Sequence, residues 1–111
     1  MAEIIWTKSA ISDLDEIAEY IAIDKLNAAN KLVTNITNLV DRLAIFPESG
    51  RLLPEFNNTI YREIIVNPCR IIYYSESDKV YITRIIRSER QLRRYMLTDV
   101  IHETDEKYNL D

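Results

Sequence analysis

Apolar positions recur along this chain with two periods, and the switch between them divides it into a helical half and a strand half. Glu3-Ile4-Ile5-Trp6 is a β-branched and aromatic run of strand type. Thr7 follows as an N-cap, its hydroxyl placed to accept from an unpaired amide of the first helical turn. Ala10, Leu14, Ile17, Ala18 and Ile21 then fall on one helical stripe, while Asp13, Asp15, Glu16 and Glu19 face largely elsewhere. Asp24-Lys25-Leu26-Asn27 breaks the stripe, with Asp24 or Asn27 the expected second N-cap. Ala29, Leu32, Val33, Ile36, Val40 and Leu43 form a second stripe. Pro47 ends it, because the residue before proline is pushed out of the α region. Two amphipathic helices joined so closely pack as an antiparallel hairpin.

Past Pro47-Glu48-Ser49-Gly50, a turn sequence holding the only glycine of the chain, and a loop through Asn58, the period changes to that of strands. Three strands are expected at 61–66, 69–74 and 79–86, separated by Asn67-Pro68 and Ser75-Glu76-Ser77-Asp78. Connectors this short make hairpins, hence an antiparallel meander. Arg87-Ser88-Glu89-Arg90 opens a last helical stretch with Ser88 as its N-cap, and residues 102–111 either extend that helix or stay disordered. The pattern predicts an α+β domain over 1–98: a strand, a helical hairpin, a small mostly antiparallel sheet and a C-terminal helix. An acidic extension occupies 99–111.

Composition narrows the chemistry. A chain of 111 residues, 47% hydrophobic and 29% charged, makes one globular domain with a real core. One cysteine (Cys69) and one histidine (His102) leave no material for a disulfide framework, a zinc cluster or a Ser-His-Asp apparatus. No cofactor or metal is expected. No signal peptide is visible and no apolar run approaches membrane-spanning length, so the expected compartment is a reducing cytoplasm.

Charge is unevenly placed. Residues 1–50 carry four basic and eight acidic side chains, residues 60–98 eight basic and four acidic, and residues 99–111 one lysine against five acids. On a chain of net charge -4, the +4 of residues 60–98 marks an interaction surface. Its focus is R-I-I-R-S-E-R-Q-L-R-R at 84–94, with Arg84, Arg87, Arg90, Arg93 and Arg94 and one acid, Glu89. Guanidinium offers a planar fork of donors that matches phosphate and carboxylate. Five so close repel one another unless an anion is near, and that anion is either nucleic acid or an acidic protein segment. The bland alternative is a solvated edge with Glu89 pairing an arginine. Arg62 and Arg70, in adjacent strands, can add to the patch or simply point outward.

Seven tyrosines are the other enrichment. Tyr61, Tyr73, Tyr74 and Tyr81 lie in strands, where packing is the ordinary role. Tyr95, directly after Arg93-Arg94, carries a phenol able to stack on a base or share a proton with a phosphate. The carboxylates of the first helix have spacings that allow a metal, but the wet face of the helix accounts for them. Nuclease chemistry here would have to be metal-independent, run by arginine, tyrosine and the 2′-hydroxyl of RNA.

The run W-T-K-S-A-I-S-D-L-D-E-I-A-E-Y-I-A-I-D at 6–24 resembles the opening of RelE/ParE-superfamily toxins of bacterial type II toxin–antitoxin systems. The likeness continues through F-P-E-S-G-R-L-L-P-E-F at 46–56, Y-R-E-I-I-V-N-P-C-R-I-I-Y-Y at 61–74 and V-Y-I-T-R-I-I-R-S-E-R-Q-L at 80–92, in the family's order and spacing. The long helical hairpin and the Pro-x-x-Gly-Arg loop are closer to the ParE branch.

The resemblance implies a compact α+β toxin that arrests growth or stabilises a plasmid and is neutralised in a hetero-oligomer by a cognate antitoxin. ParE-branch members are associated with poisoning DNA gyrase, through the arginines at 84, 87, 90, 93 and 94 in this chain. RelE-branch members instead cut mRNA on the ribosome. On that alternative Arg62, Arg70, Arg87 or Arg90, and Tyr95 match the basic and aromatic set. A non-toxic binding module on the same fold is the third reading. Ile64 replaces a strand lysine of the RelE branch, Tyr95 is displaced by a residue or two, and Arg87 stands where ParE-like members usually have histidine.

Overall fold

The computed structural model describes residues 1–56 and 59–97. The acidic segment 99–111, His102 and the question of a continued helix there lie outside the described residues.

The chain opens with β1 (Glu3–Trp6), α1 (Lys8–Asp24) and α2 (Leu26–Arg42), and continues with β2 (Arg51–Leu52), β3 (Arg62–Val66), β4 (Cys69–Glu76) and β5 (Lys79–Arg87). Thr7 caps α1 as expected, its hydroxyl accepting from Ala10 N at 3.2 Å. The second cap differs from expectation. Neither Asp24, which ends α1, nor Asn27, inside α2, serves it; the single extended residue Lys25 closes one helix and opens the next, with no side-chain cap bond. Beyond Arg42 the chain tightens, Leu43, Ala44 and Ile45 each donating to a carbonyl three residues back. The helix is therefore already unwinding before Pro47.

The sheet has five strands in the order β1-β5-β4-β3-β2, all antiparallel except for β1, which runs parallel to β5. The three-strand meander stands as its pattern suggested, while the two-residue edge strand β2 was not legible. Glu76 and Lys79 close the β4–β5 hairpin around Ser77 and Asp78, whose φ values of 51° and 62° give the right-handed twist that two-residue hairpins favour. Thr83 is the extra residue where the register slips between Ile72 and Tyr73, and its hydroxyl donates to Ile72 O at 2.8 Å.

Two apolar layers sandwich the sheet. On one face Ala10, Leu32, Ile36, Val40 and Leu43 of the hairpin meet Ile71, Tyr73, Val80, Ile82 and Ile85. On the other, Leu53 and Phe56 of the loop after β2, with Leu92, Met96 and Leu97, cover Tyr61, Ile72, Tyr74 and Ile86. No helix begins at Ser88, a correction to its expected capping role. Residues 88–90 form a turn, Ser88 N donating to Pro68 O at 2.8 Å, and helical geometry appears only at 94–97. From this stretch Leu92, Met96 and Leu97 reach the sheet.

Gly50 is fixed by close approach. A Cβ there would lie 2.6 Å from both Glu63 O and the Tyr73 phenol oxygen, which accepts from Gly50 N at 2.8 Å. Only glycine lets the loop cross the sheet edge at this distance.

Candidate functional site

The arginines of 84–94 meet different fates along β5 and the turn after it. β1 pairs with β5 only as far as Ile82, so among the described residues the rest of that edge has no strand neighbour. Side chains of α1 take over. Thr7 Oγ1 lies 2.9 Å from Ile82 O and 3.1 Å from Thr83 O, and the Asp13 carboxylate accepts from Ile85 N at 2.9 Å. Asp13 also grips Arg84 through two bonds of 2.8 and 3.0 Å. Arg84 is thus a structural bolt between α1 and the sheet.

Arg87 lies next along the strand, half-buried. Its Nε is 2.7 Å from a Glu89 carboxylate oxygen, an ion pair without hydrogen-bond alignment, and its guanidinium stands 5.4 Å from the Tyr20 ring centre. Arg90, Arg93, Arg94 and Tyr95 are exposed. Arg94 lies 4.7 Å from the centre of the Phe56 ring, a cation–π contact that ties the C-terminal turn to the loop after β2. Arg90 and Arg93 make no ion pair among the described residues. Arg87 and Arg90 border a groove of about 320 Å³ between α1 and the end of β5, whose wall includes Ile17, Tyr20 and Ile86. Beside it α1 and the hairpin bend expose Ile11, Tyr20, Ile23 (87% accessible) and Leu26.

Arg62 and Arg70 do not join one patch. Alternation along the β3–β4 register sets Arg62 on the helix-bearing face, opposite Tyr73, and Arg70 on the other face, opposite Ile65. Arg62 donates to Gly50 O at 2.8 Å. Arg70 is 9% accessible and held by two carboxylates. Its Nε donates to Glu63 at 2.5 Å, and its two terminal nitrogens bind Glu55 at 2.6 and 2.8 Å. Glu63, 1% accessible, takes a second bond of 2.5 Å from Arg51 Nε. Arg51 belongs to the edge strand β2 and Glu55 to the loop after it, Glu63 and Arg70 to β3 and β4, so this charge-balanced quartet ties both the edge strand and its loop to the inner strands. The fork to Glu55 strengthens the hold of Arg70 on its proton, and the Arg70 hydrogen bonds keep the Glu55 carboxyl below its ordinary range.

Glu55 and Glu63 went unnoticed in the sequence. Nothing in a lone glutamate of a strand or loop announces a buried partner; the Glu63–Arg70 contact arises only from the hairpin register. Ile64 shares the helix-bearing face and packs against the core there. Burial pushes the Tyr61 phenol up to about 12, which keeps it neutral. Among the described residues no group of three or more His, Cys, Asp or Glu side chains could hold a metal ion, and no helix is long and apolar enough to cross a membrane.

A helical hairpin on a five-stranded sheet, with arginines gathered on the rim where the last strand meets the first helix, defines a small recognition domain. The family described as "ParE toxin of type II toxin-antitoxin system, parDE" matches residues 4–92, and the chain belongs to it. It is 34% identical over 90 residues to Toxin RelE2 of Caulobacter vibrioides, covering 81% of this chain and 99% of that protein. It is 35% identical over 86 residues to the Sinorhizobium fredii protein Y4kP, covering 78% of this chain and 88% of the other. Among solved structures, a chain of the chromosomal ParDE toxin–antitoxin system from P. aeruginosa superposes with a TM-score of 0.64 at 25% identity, over 78% of this chain and 96% of that one. The protein is thus a toxin of a type II system, a class that works with an antitoxin partner.

Proposed function

We propose that this toxin arrests growth by gripping a protein target, DNA gyrase, in the cytoplasm, and that it does not cut RNA. The observation that supports this reading is the state of Arg70. An RNA-cleaving site needs a strand cation that can turn to the scissile phosphate. Here that guanidinium is spent on Glu55 and Glu63, whose charges would also repel a phosphate. Releasing it would break a buried ion pair at a cost of about 3–5 kcal/mol. Ile64 supplies no charge in its place, since it is apolar and packed toward the helices. Of the arginines at 84–94, Arg90, Arg93 and Arg94 are the exposed ones, a surface suited to an acidic protein face.

The groove between α1 and β5, with its exposed apolar neighbours, is the seat we assign to the antitoxin. An amphipathic segment there would cover Tyr20 and Ile23 and reach the rim arginines. Purified toxin tested on gyrase supercoiling and on mRNA in programmed ribosomes separates the readings. Loss of supercoiling with intact transcripts is expected. Cleaved transcripts with undisturbed gyrase would establish the RelE-type alternative, which the name of the Caulobacter relative and the 61% exposure of Tyr95 favour.

A further inference from the structure

The end of α2 borders a groove that neither the arginine rim nor the antitoxin seat uses. It holds about 720 Å³ between the last turns of α2, the turn at Pro47 and strands β3 and β4, and shares no lining residue with the α1–β5 groove. Leu39, Leu43 and Ile64 make its wall apolar, and Phe46 lines it while 54% accessible to water. Arg42 and Glu48 are its two charges. On the other side of Pro47, Met1 and Ile45 continue the exposed apolar surface.

The turn that carries Phe46 is held in place. Phe46 N donates to Arg42 O at 3.0 Å, and Ser49 N donates to Phe46 O at 3.1 Å. Directly after it, Gly50 N is bonded to the Tyr73 phenol and Gly50 O accepts from Arg62, both at 2.8 Å. The segment is ordered before any contact forms, so docking on it loses little further entropy. An aromatic ring presented on such a turn is the usual anchor of a protein interface. An occupant of the groove must bring an apolar side chain, one cation and one anion.

We propose that this occupant is a second copy of the same chain, related by a two-fold axis. In a two-fold interface each residue of the patch meets the patch again, so the surface has to complement itself. The arginine rim fails that condition, because Arg90, Arg93 and Arg94 would face their own kind. The α2 groove meets it with one charge of each sign. Arg42 and Glu48 are both exposed and form no ion pair among the described residues. Across the axis Arg42 of each copy faces Glu48 of the other, while each Phe46 enters the apolar wall opposite.

Few side chains take part, so the dimer is weak, with a dissociation constant on the order of 100 µM. None of the residues lining the α1–β5 groove is used, and the dimer therefore offers two such grooves to a partner. The association does not depend on what the toxin attacks.

Sedimentation equilibrium of the full chain between about 10 and 500 µM brackets the range expected of so small an interface. The average mass should climb from that of one chain toward that of two. Phe46→Ala, Arg42→Glu and Glu48→Arg should each raise the dissociation constant at least about tenfold, because symmetry counts every change twice. Combining Arg42→Glu with Glu48→Arg should restore the dimer, since the exchanged charges again face their opposites. All three side chains are exposed, and circular dichroism checks that each variant is folded. A chain that stays monomeric throughout would leave the groove to a different protein and overturn the proposal. So would a dimer indifferent to Phe46→Ala or to either single reversal, or a charge exchange that fails to recover what the reversals lost.

Discussion

Asp13 and Ile85 are 72 residues apart, yet the carboxylate of one caps the backbone N–H of the other at 2.9 Å while holding Arg84 in a two-bonded fork. The edge of β5 that β1 leaves bare is completed by a helix side chain, and the rim arginines hang from that join. Asp13→Ala would take a two-bonded carboxylate from a mostly buried guanidinium and the acceptor from the Ile85 amide together. We expect a loss of about 3 kcal/mol, read as a lowered urea midpoint at unchanged m-value. A change below about 1 kcal/mol would mean that water replaces the carboxylate without cost.

Gly50→Ala should be among the costliest single-methyl additions in the chain. The new Cβ would meet the Glu63 carbonyl oxygen and the Tyr73 phenol oxygen, both at 2.6 Å. Forcing the loop away from β3 costs on the order of 2 kcal/mol. Adding Tyr73→Phe should recover only part of this in thermal melts, since it removes the phenol oxygen but keeps the ring carbon Cε1 at 2.8 Å and the Glu63 carbonyl oxygen at 2.6 Å, and it leaves Gly50 N without its acceptor.

The Arg70 hydrogen bonds lower the Glu55 carboxyl below its ordinary 4.5, so the folded state binds this proton more weakly than the unfolded one. The stabilisation from that pair is therefore fully present above about pH 4.5 and declines as pH falls through the lowered folded value. Acid titration of stability by circular dichroism should show this decline, and Glu55→Gln should flatten it. An identical profile in the variant would place the acid sensitivity at another carboxylate.

Replacing Arg87 and Arg90 together by alanine should abolish growth arrest and leave stability within about 1 kcal/mol, because both lie at the rim and neither belongs to the two apolar layers. Colony counts after induction, beside the melting curve of the purified variant, check both halves. Retained toxicity in a folded variant would move the target surface away from the arginines that border the α1–β5 groove.

Tyr95→Phe removes only a hydroxyl from an exposed ring. A toxin that grips a protein should keep its activity, whereas an RNase relying on that phenol for proton transfer should slow on the order of 10²-fold. Growth arrest is expected to persist. A folded but harmless variant would turn the assignment toward RNA cleavage.

Local periodicity carried much of the architecture. The stripes Ala10–Leu14–Ile17–Ile21 and Leu32–Ile36–Val40–Leu43 are the faces that pack on the sheet, and the short connectors around Pro68 and Ser77 made the meander legible. Helical and strand periods are written in neighbours, so they can be read without knowing what lies across the fold. The parallel union of β1 with β5 and the two-residue strand β2 depend on partners far along the chain or on too few residues to form a pattern.

The same division runs through the site. The sequence alone determined that arginine accumulates at 84–94 and that Ile64 breaks the RNase pattern. It made those arginines look equivalent, and left open whether Arg62 and Arg70 join them or simply point outward. Only the tertiary structure decided otherwise, turning Arg62 and Arg70 to opposite faces, committing Arg70 and Arg84 to carboxylates, and leaving Arg90 and Arg93 exposed. The reason is physical: a charge is fixed by residue type, but its availability depends on which opposite charge the fold brings within a few ångströms and how much water it removes.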